Sequence, residues 1–459
     1  MTSHQGKLAD RTMPDAGDPL PEGAWQACLR PMSGPDVAHL IRRIAGNPTW
    51  EELRTFSGQT PEAAFQELTA EPPSYAEFEA KLRPLEEAAI RSDALDAYRT
   101  WFLRRLIVSP CPFREWMTVF WLEYFGLGIQ RVGELSLFDD VVRSIRRLAL
   151  EDFRELLSAV LLHPAYLLNV RAPANYRSNP SERVGAAILR TCLGYREPDF
   201  SAQAGELGRA FSGRFINRGR LRISELERDT GEKTVLGHRG AYDAEEIPGL
   251  IAADVRADSW TARRLYRWFG CESRIPSNEF LTPVIDRLKQ TGSIAETVRL
   301  ILTSQWFFSA DVRRSKLRRP LDFAAALLRA FRGRVTISMI NELTLMGQDI
   351  LQPTTLDGWP DAGNYLSPLA LIQRMNLAAK LLRADENFGG GLTRGAIEAW
   401  KDDLPIACSV LMADGEIPAE IRDQWDDLCG RYAAAPGERE RIAASMIYVL
   451  AVSPKFQTA

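Results

Sequence analysis

SPCPFREWMTVFWLEYFGLG, residues Ser109 to Gly128, is the stretch on which the reading of the whole chain turns. Pro112 suits the first turn of a helix, where a missing N–H costs nothing, and Glu115 just inside the start complements the positive end of the helix dipole. Phe113, Met117, Phe120, Trp121, Tyr124 and Phe125 recur at steps of three and four residues, so they form one broad apolar face that must be buried. Gly126 and Gly128 supply the permissive backbone of a helix end. The spacing predicts a core helix. A functional reading adds that Arg114, Glu115 or Glu123 lies at a site beside that core.

Working outward, DVAHLIRRIA, PTWEELRTFS and TPEAAFQELTA each begin with Pro, Thr or Asp where helices are capped or started, so helical structure is expected from Pro35 to Leu106. Downstream, residues 139–168 predict two more helices ending at LLHPAYLL, where His163 before Pro164 reads as a C-terminal cap rather than a ligand. Between Phe215 and Gly240 the pattern alternates, in RLRIS and TVLG, which predicts one small β-hairpin. Helical periodicity then resumes, broken by the turn-rich loop QPTTLDGWPDAGNYLS and the glycine triplet after Phe388. The expected fold class is mainly α, a large multi-helix globular protein with one small β-hairpin insertion. Its expected organisation is a flexible N-terminal arm at 1–30, a helical main domain at 31–384 with the hairpin near 215–240, a glycine-rich linker at 385–395, and a C-terminal helical segment at 396–459 that packs on the main domain.

Composition narrows the function classes. With 459 residues, 45% of them hydrophobic and 25% charged, the chain has the make-up of a globular protein with a sizeable core. A formal net charge of −3 gives no global reason for nucleic acid as a partner; a protein partner stays open, and the sequence does not specify an oligomeric state. The six cysteines form no C-x-x-C pair, and none of the four histidines is within helical reach of another, so neither a metal site nor a cofactor is expected. The first residues carry no apolar h-region and no run approaches a membrane span, which makes a cytoplasmic location the default expectation. There is no H-E-x-x-H, G-x-S-x-G or dinucleotide-binding glycine fingerprint. TGEKT at Thr230 ends like a phosphate loop, yet Glu232 stands where glycine precedes the lysine. Asp414, Glu416 and Glu420 read as acidic residues at a helix start rather than as cation ligands.

Taken together, HLIRR, SPCPFREWMTVFW, HPAYLL, the D-x-G-x-K-T-x-L-G stretch from Asp229 to Gly237, GWP at Gly358 to Pro360 and the closing SPKFQ resemble the uncharacterised bacterial family known as domain of unknown function 1800. The similarity runs from about Val37 to the end, and implies a mainly helical fold and no established activity. Departures from the family pattern matter more than matches. Where its members usually show F-W-H-x-H-F, this chain has Leu122 and Tyr124 at the histidine positions; where they tend to carry R-E-L-x-E, it has Gly185, Ala186, Ala187, Ile188 and Leu189. Arg228-Asp229 replaces the family's H-D, and Thr355 aligns with its Asn before the G-W-P loop. Aliphatic, aromatic and glycine side chains neither coordinate a cation nor transfer a proton at neutral pH.

These observations lead first to a non-catalytic or degenerate helical binding or scaffold protein. The alternative is a hydrolase or metal-assisted enzyme that uses carboxylates near the hairpin, in which Asp229 and Lys233 converge with Glu115 or Glu123 in one pocket. The resemblance adds Arg209 and Arg264 as charged positions matched to the family. Arg114, Arg209, Arg264 and Trp359 are the binding candidates, Trp359 either as a loop anchor or as a ring lining a groove for a sugar or another planar ligand. A second alternative is recognition of an anionic polymer by the arginine-rich segment Arg209, Arg214, Arg218, Arg220, Arg222 and Arg228. The other basic run, Arg313 to Arg319, reads as a solvated turn between helices.

Overall fold

Helix α4, Pro112–Tyr124, forms where the aromatic periodicity predicts it, and it is the element around which its neighbours pack. The computed structural model describes residues 23–195, 201–272, 274–383 and 386–459. Pro112 opens α4, and the Leu127 amide closes it by donating to the Leu122 carbonyl at 2.9 Å while Gly126 takes a φ of +59°. Phe113, Phe120, Trp121, Leu122, Tyr124 and Phe125 are all buried, and the Trp121 indole N–H donates to the Ala149 carbonyl at 2.9 Å. Each aromatic in that row removes a large apolar area from water, so the row supplies the main driving force for assembling this region.

The other helices used below are α1 (Gly34–Ala45), α2 (Tyr75–Arg91), α3 (Leu95–Val108), α5 (Leu135–Leu148), α6 (Glu182–Leu193), α7 (Ser201–Ala210), α8 (Val255–Phe269), α9 (Pro320–Ala330), α10 (Pro368–Leu382), α11 (Leu404–Ala413) and α12 (Arg439–Val452). Helix α1 starts with a reciprocal capping box: Ser33 Oγ accepts from the Asp36 amide while Asp36 accepts from the Ser33 amide at 2.9 Å. His163 caps a helix, though the other end of one: its Nδ1 accepts from the Ala165 amide at 3.1 Å, at the N-terminus of Pro164–Asn169. Pro164 explains the difference, because a proline at the first helical position marks a start.

Strand structure differs from the single expected hairpin. Two separate antiparallel pairs form, β1 (Arg214–Asn217) with β2 (Arg220–Ile223) and β3 (Lys233–Val235) with β4 (His238–Gly240). Each turn places two successive residues at positive φ, Arg218-Gly219 at +50° and +69° and Leu236-Gly237 at +53° and +85°. That is the backbone of a two-residue primed turn. RLRIS and TVLG therefore belong to different hairpins.

The expected arm at 1–30 falls mostly outside the described residues; from Gly23 onward the chain is packed, with the Cys28 amide donating to the Thr303 carbonyl at 2.7 Å and Trp25 against Trp306. At the other end α12 packs on α10 and α11, and Phe456 meets Phe323 at 5.7 Å between ring centroids. The basic run at 313–319 is not a solvated turn. It threads between α1 and the C-terminal residues, with Arg313 on Asp36, Arg314 on Asp414, the Lys316 ammonium donating to the Trp268 carbonyl at 2.9 Å, and Arg318 stacked over Phe456. Guanidinium groups tolerate such burial because their flat faces stack and their forked donors match carboxylates and carbonyls.

Between α2, α3 and α5, Glu86 and Asp139 are both buried; Asp139 accepts from the Tyr98 hydroxyl at 2.8 Å, and Arg143 bridges the two carboxylates. Burial and the neighbouring Asp139 charge push the Glu86 carboxyl up to about 7. A carboxyl raised in the folded state contributes stability fully below its usual pKa near 4.5 and loses it as pH rises through about 7. Glu86→Gln is expected to flatten that loss and to stabilise the protein at pH 8 by roughly 1–3 kcal/mol, read from urea unfolding across the pH range.

Candidate ligand-binding site

The C-terminal turn of α4 meets α8 and the loop at 352–361 around a cavity of about 350 Å³. Two glycines permit this approach. A Cβ on Gly126 would fall 2.4 Å from the Leu356 carbonyl oxygen, and one on Gly358, whose φ is +110°, would fall 2.5 Å from Glu123 Cγ. Only a bare backbone lets the loop and the helix end come this close.

Helix α8 turns one face to the cavity. Trp260, Arg264, Arg267 and Trp268 follow each other at helical steps, so a single stripe of α8 supplies both rings and both charges. The Trp260 indole is fixed by donating to the Thr191 carbonyl at 2.7 Å. From the loop comes Trp359, 6% exposed, its indole donating to the Asp349 carbonyl at 3.2 Å. It is both the loop's anchor and part of the cavity wall.

Charge inside the cavity is arranged in pairs. Glu123 accepts from Arg319 Nη1 at 2.6 Å and lies 3.7 Å from Arg264 Nη2; Arg319 reaches Glu272 at 3.5 Å, and Glu272 accepts from the Ala362 amide at 3.2 Å. At the rim Arg267 pairs with Asp361, and Arg190 holds Asp357 through a 2.7 Å bond from its Nε. Burial opposes the charge on Arg319, but Glu123 and Glu272 outweigh it and push its pKa up. For Arg264 burial prevails over the pull of Glu123, and its pKa is lowered. Among the described residues Arg264 makes one hydrogen bond, from Nη1 to the Asp357 carbonyl at 3.2 Å. Arg319 Nε and Trp268 Nε1, on two of the lining residues, are buried beneath the cavity surface with no hydrogen-bond partner among the described residues.

Three of the sequence candidates, Glu123, Arg264 and Trp359, thus come together. The others do not join them. Glu115 is wholly buried between Arg105 Nε at 2.8 Å and Arg146 Nε at 3.0 Å. Arg114 reaches Glu71 at 2.8 Å and stacks over Tyr75. Arg209 donates to Asp229 at 2.7 Å, which lowers the Asp229 pKa, and the Lys233 ammonium donates to the Asp229 and Gly231 carbonyls. These last form a pinned loop beside β3. Asp414 is held by Arg42 and Arg314.

The positions that depart from the family pattern are filled by packing. Leu122 is fully buried; Tyr124 is 2% exposed, its hydroxyl 2.9 Å from Thr261 Oγ1. On α6, a Cβ at Gly185 would lie 2.1 Å from the Ala204 carbonyl oxygen of α7, so the glycine allows two helices to touch. Among the described residues no group of three or more His, Cys, Asp or Glu side chains is placed to hold a metal ion, and no helix is long and apolar enough to cross a membrane.

The family model described as "Protein of unknown function (DUF1800)" matches residues 39–182 and 192–458. The chain belongs to that family. No curated protein and no solved structure matches it. The DUF1800 match spans every wall of the cavity, from Glu123 on α4 through Arg264 on α8 to Trp359 in the loop.

Proposed function

We propose that this DUF1800 chain is a binding protein without catalytic chemistry of its own, and that the cavity between α4, α8 and the 352–361 loop is its ligand seat. The observation that carries the reading is the state of the polar groups there. The carboxylates are engaged by guanidinium groups or an amide, whereas Arg264, which lines the cavity, makes one hydrogen bond among the described residues and keeps its other donors. A lining whose acceptors are fixed and whose Arg264 guanidinium keeps donors suits holding a guest, and the Glu123 oxygen 2.6 Å from Arg319 is already engaged before a guest arrives.

Asp229 and Lys233, on which the hydrolase alternative relies, are spent on Arg209 and on backbone carbonyls. For the anionic-polymer alternative, Arg209, Arg214 and Arg228 are each paired to carboxylates, which leaves Arg218, Arg220 and Arg222 exposed on β1–β2. Arg218 and Arg220 share a cleft with Glu134, Asp139 and Asp140, which offsets their charge.

The test is a screen of small organic molecules against the full chain by intrinsic tryptophan fluorescence. A saturable ligand recovered chemically unchanged is expected, with affinity about tenfold or more weaker in Arg264→Gln. Recovery of a cleaved product, with turnover abolished in Glu123→Gln, would transfer the site to the enzyme reading.

A further inference from the structure

We infer that the cavity takes a neutral polyhydroxylated ring, a mono- or disaccharide, as its ligand class; this rests on the binding reading above. The first ground is charge balance. Arg264, Arg267 and Arg319 face Glu123, Glu272 and Asp361, and Arg190 answers Asp357, so the lining carries no net attraction for an ion of either sign. A carboxylate or phosphate guest offers acceptors only and would meet four carboxylates in the same wall. A cation would meet the arginines.

The second ground is the alternation itself. Guanidinium donors and carboxylate acceptors lie side by side at Glu123–Arg319, Arg319–Glu272 and Arg267–Asp361. A hydroxyl is one donor and two acceptor sites, so neighbouring ring hydroxyls can each give a hydrogen bond to a carboxylate oxygen and take one from a guanidinium N–H without changing either group's charge. The third ground is shape and surface. A space of about 350 Å³ is at the small end of ligand cavities, and Trp260 and Trp359 supply aromatic walls for the C–H face of a ring.

The experiment titrates the full chain with D-glucose, D-galactose, N-acetylglucosamine and maltose, and in parallel with benzoate and inorganic phosphate, following tryptophan fluorescence. Saturable quenching by at least one sugar at millimolar concentration is expected, about tenfold weaker in Asp361→Asn. Asp361 is 64% exposed in its rim pair, so this variant keeps its fold. Because sugars also stabilise proteins by exclusion from their surface, a melting shift that neither saturates nor responds to the variant counts against the inference. Saturation by benzoate or phosphate without any sugar overturns the sugar class and leaves the binding reading standing. If no probe saturates and the broader screen also finds nothing that depends on Arg264, both fall.

Discussion

Glu115→Ala is expected to cost about 3–5 kcal/mol of folding stability, among the largest losses from any single carboxylate in this protein. Glu115 is fully buried and, among the described residues, is the only carboxylate hydrogen-bonded to Arg146, which is itself nearly buried beneath Trp101 with its Nη2 unpartnered. Arg105 retains Glu79 and Tyr75 after the change, so the stranded charge is mainly Arg146. Removing one member of a buried pair leaves the other's desolvation cost unpaid, which is why truncation costs far more than a surface ion pair of the same length. Urea unfolding at pH 7 measures the loss. Ligand affinity at the cavity is expected to be unchanged, since Glu115 does not line it; a loss below about 1 kcal/mol would mean that water reaches Arg146 in the folded state.

Local signals were legible: Pro112 and Gly126 bound α4 as their backbone chemistry requires, and the aromatic row is buried. The sequence presents Glu115 as a partner of the helix dipole or as a member of a site beside the core, and not as a buried ion pair, because the arginines that claim it come from α3 and α5 and such pairing leaves no local trace. The same holds for the cavity. The sequence groups Glu123 and Arg264 with the hairpin charges Asp229 and Lys233 and sets Trp359 apart, while Arg319 lies hidden in a basic run that reads as solvated. A helical stripe of alternating ring and charge, Trp260, Arg264, Arg267 and Trp268, was present in DSWTARRLYRWF and was the available signal for the site. The sequence does not separate the two hairpins, because Arg218-Gly219 and Leu236-Gly237 adopt primed turns without the usual asparagine or aspartate.

The second large effect is expected at Gly126, which ties the fold to the site. Gly126→Ala places a methyl 2.4 Å from the Leu356 carbonyl oxygen and 2.6 Å from its Cα, both backbone atoms that cannot rotate away, on a residue whose φ is +59°. Two costs then add. A non-glycine residue in the left-handed region loses about 1 kcal/mol, and overpacking against backbone adds roughly 1–3 kcal/mol. Gly133→Ala separates them, because Gly133 has a similar φ of +71° while its nearest neighbour to an added Cβ is the Gln130 carbonyl oxygen at 3.9 Å. Gly133→Ala is therefore expected to show the conformational cost alone, and the difference between the two variants measures the close approach of the 352–361 loop to α4. The same displacement carries Gly358 away from Glu123 and Trp359 away from α8, so Gly126→Ala is also expected to weaken ligand binding by tenfold or more while Gly133→Ala leaves it unchanged. Equal stability loss in both variants would show that the loop yields freely, and the helix end would then not be what holds the cavity's shape.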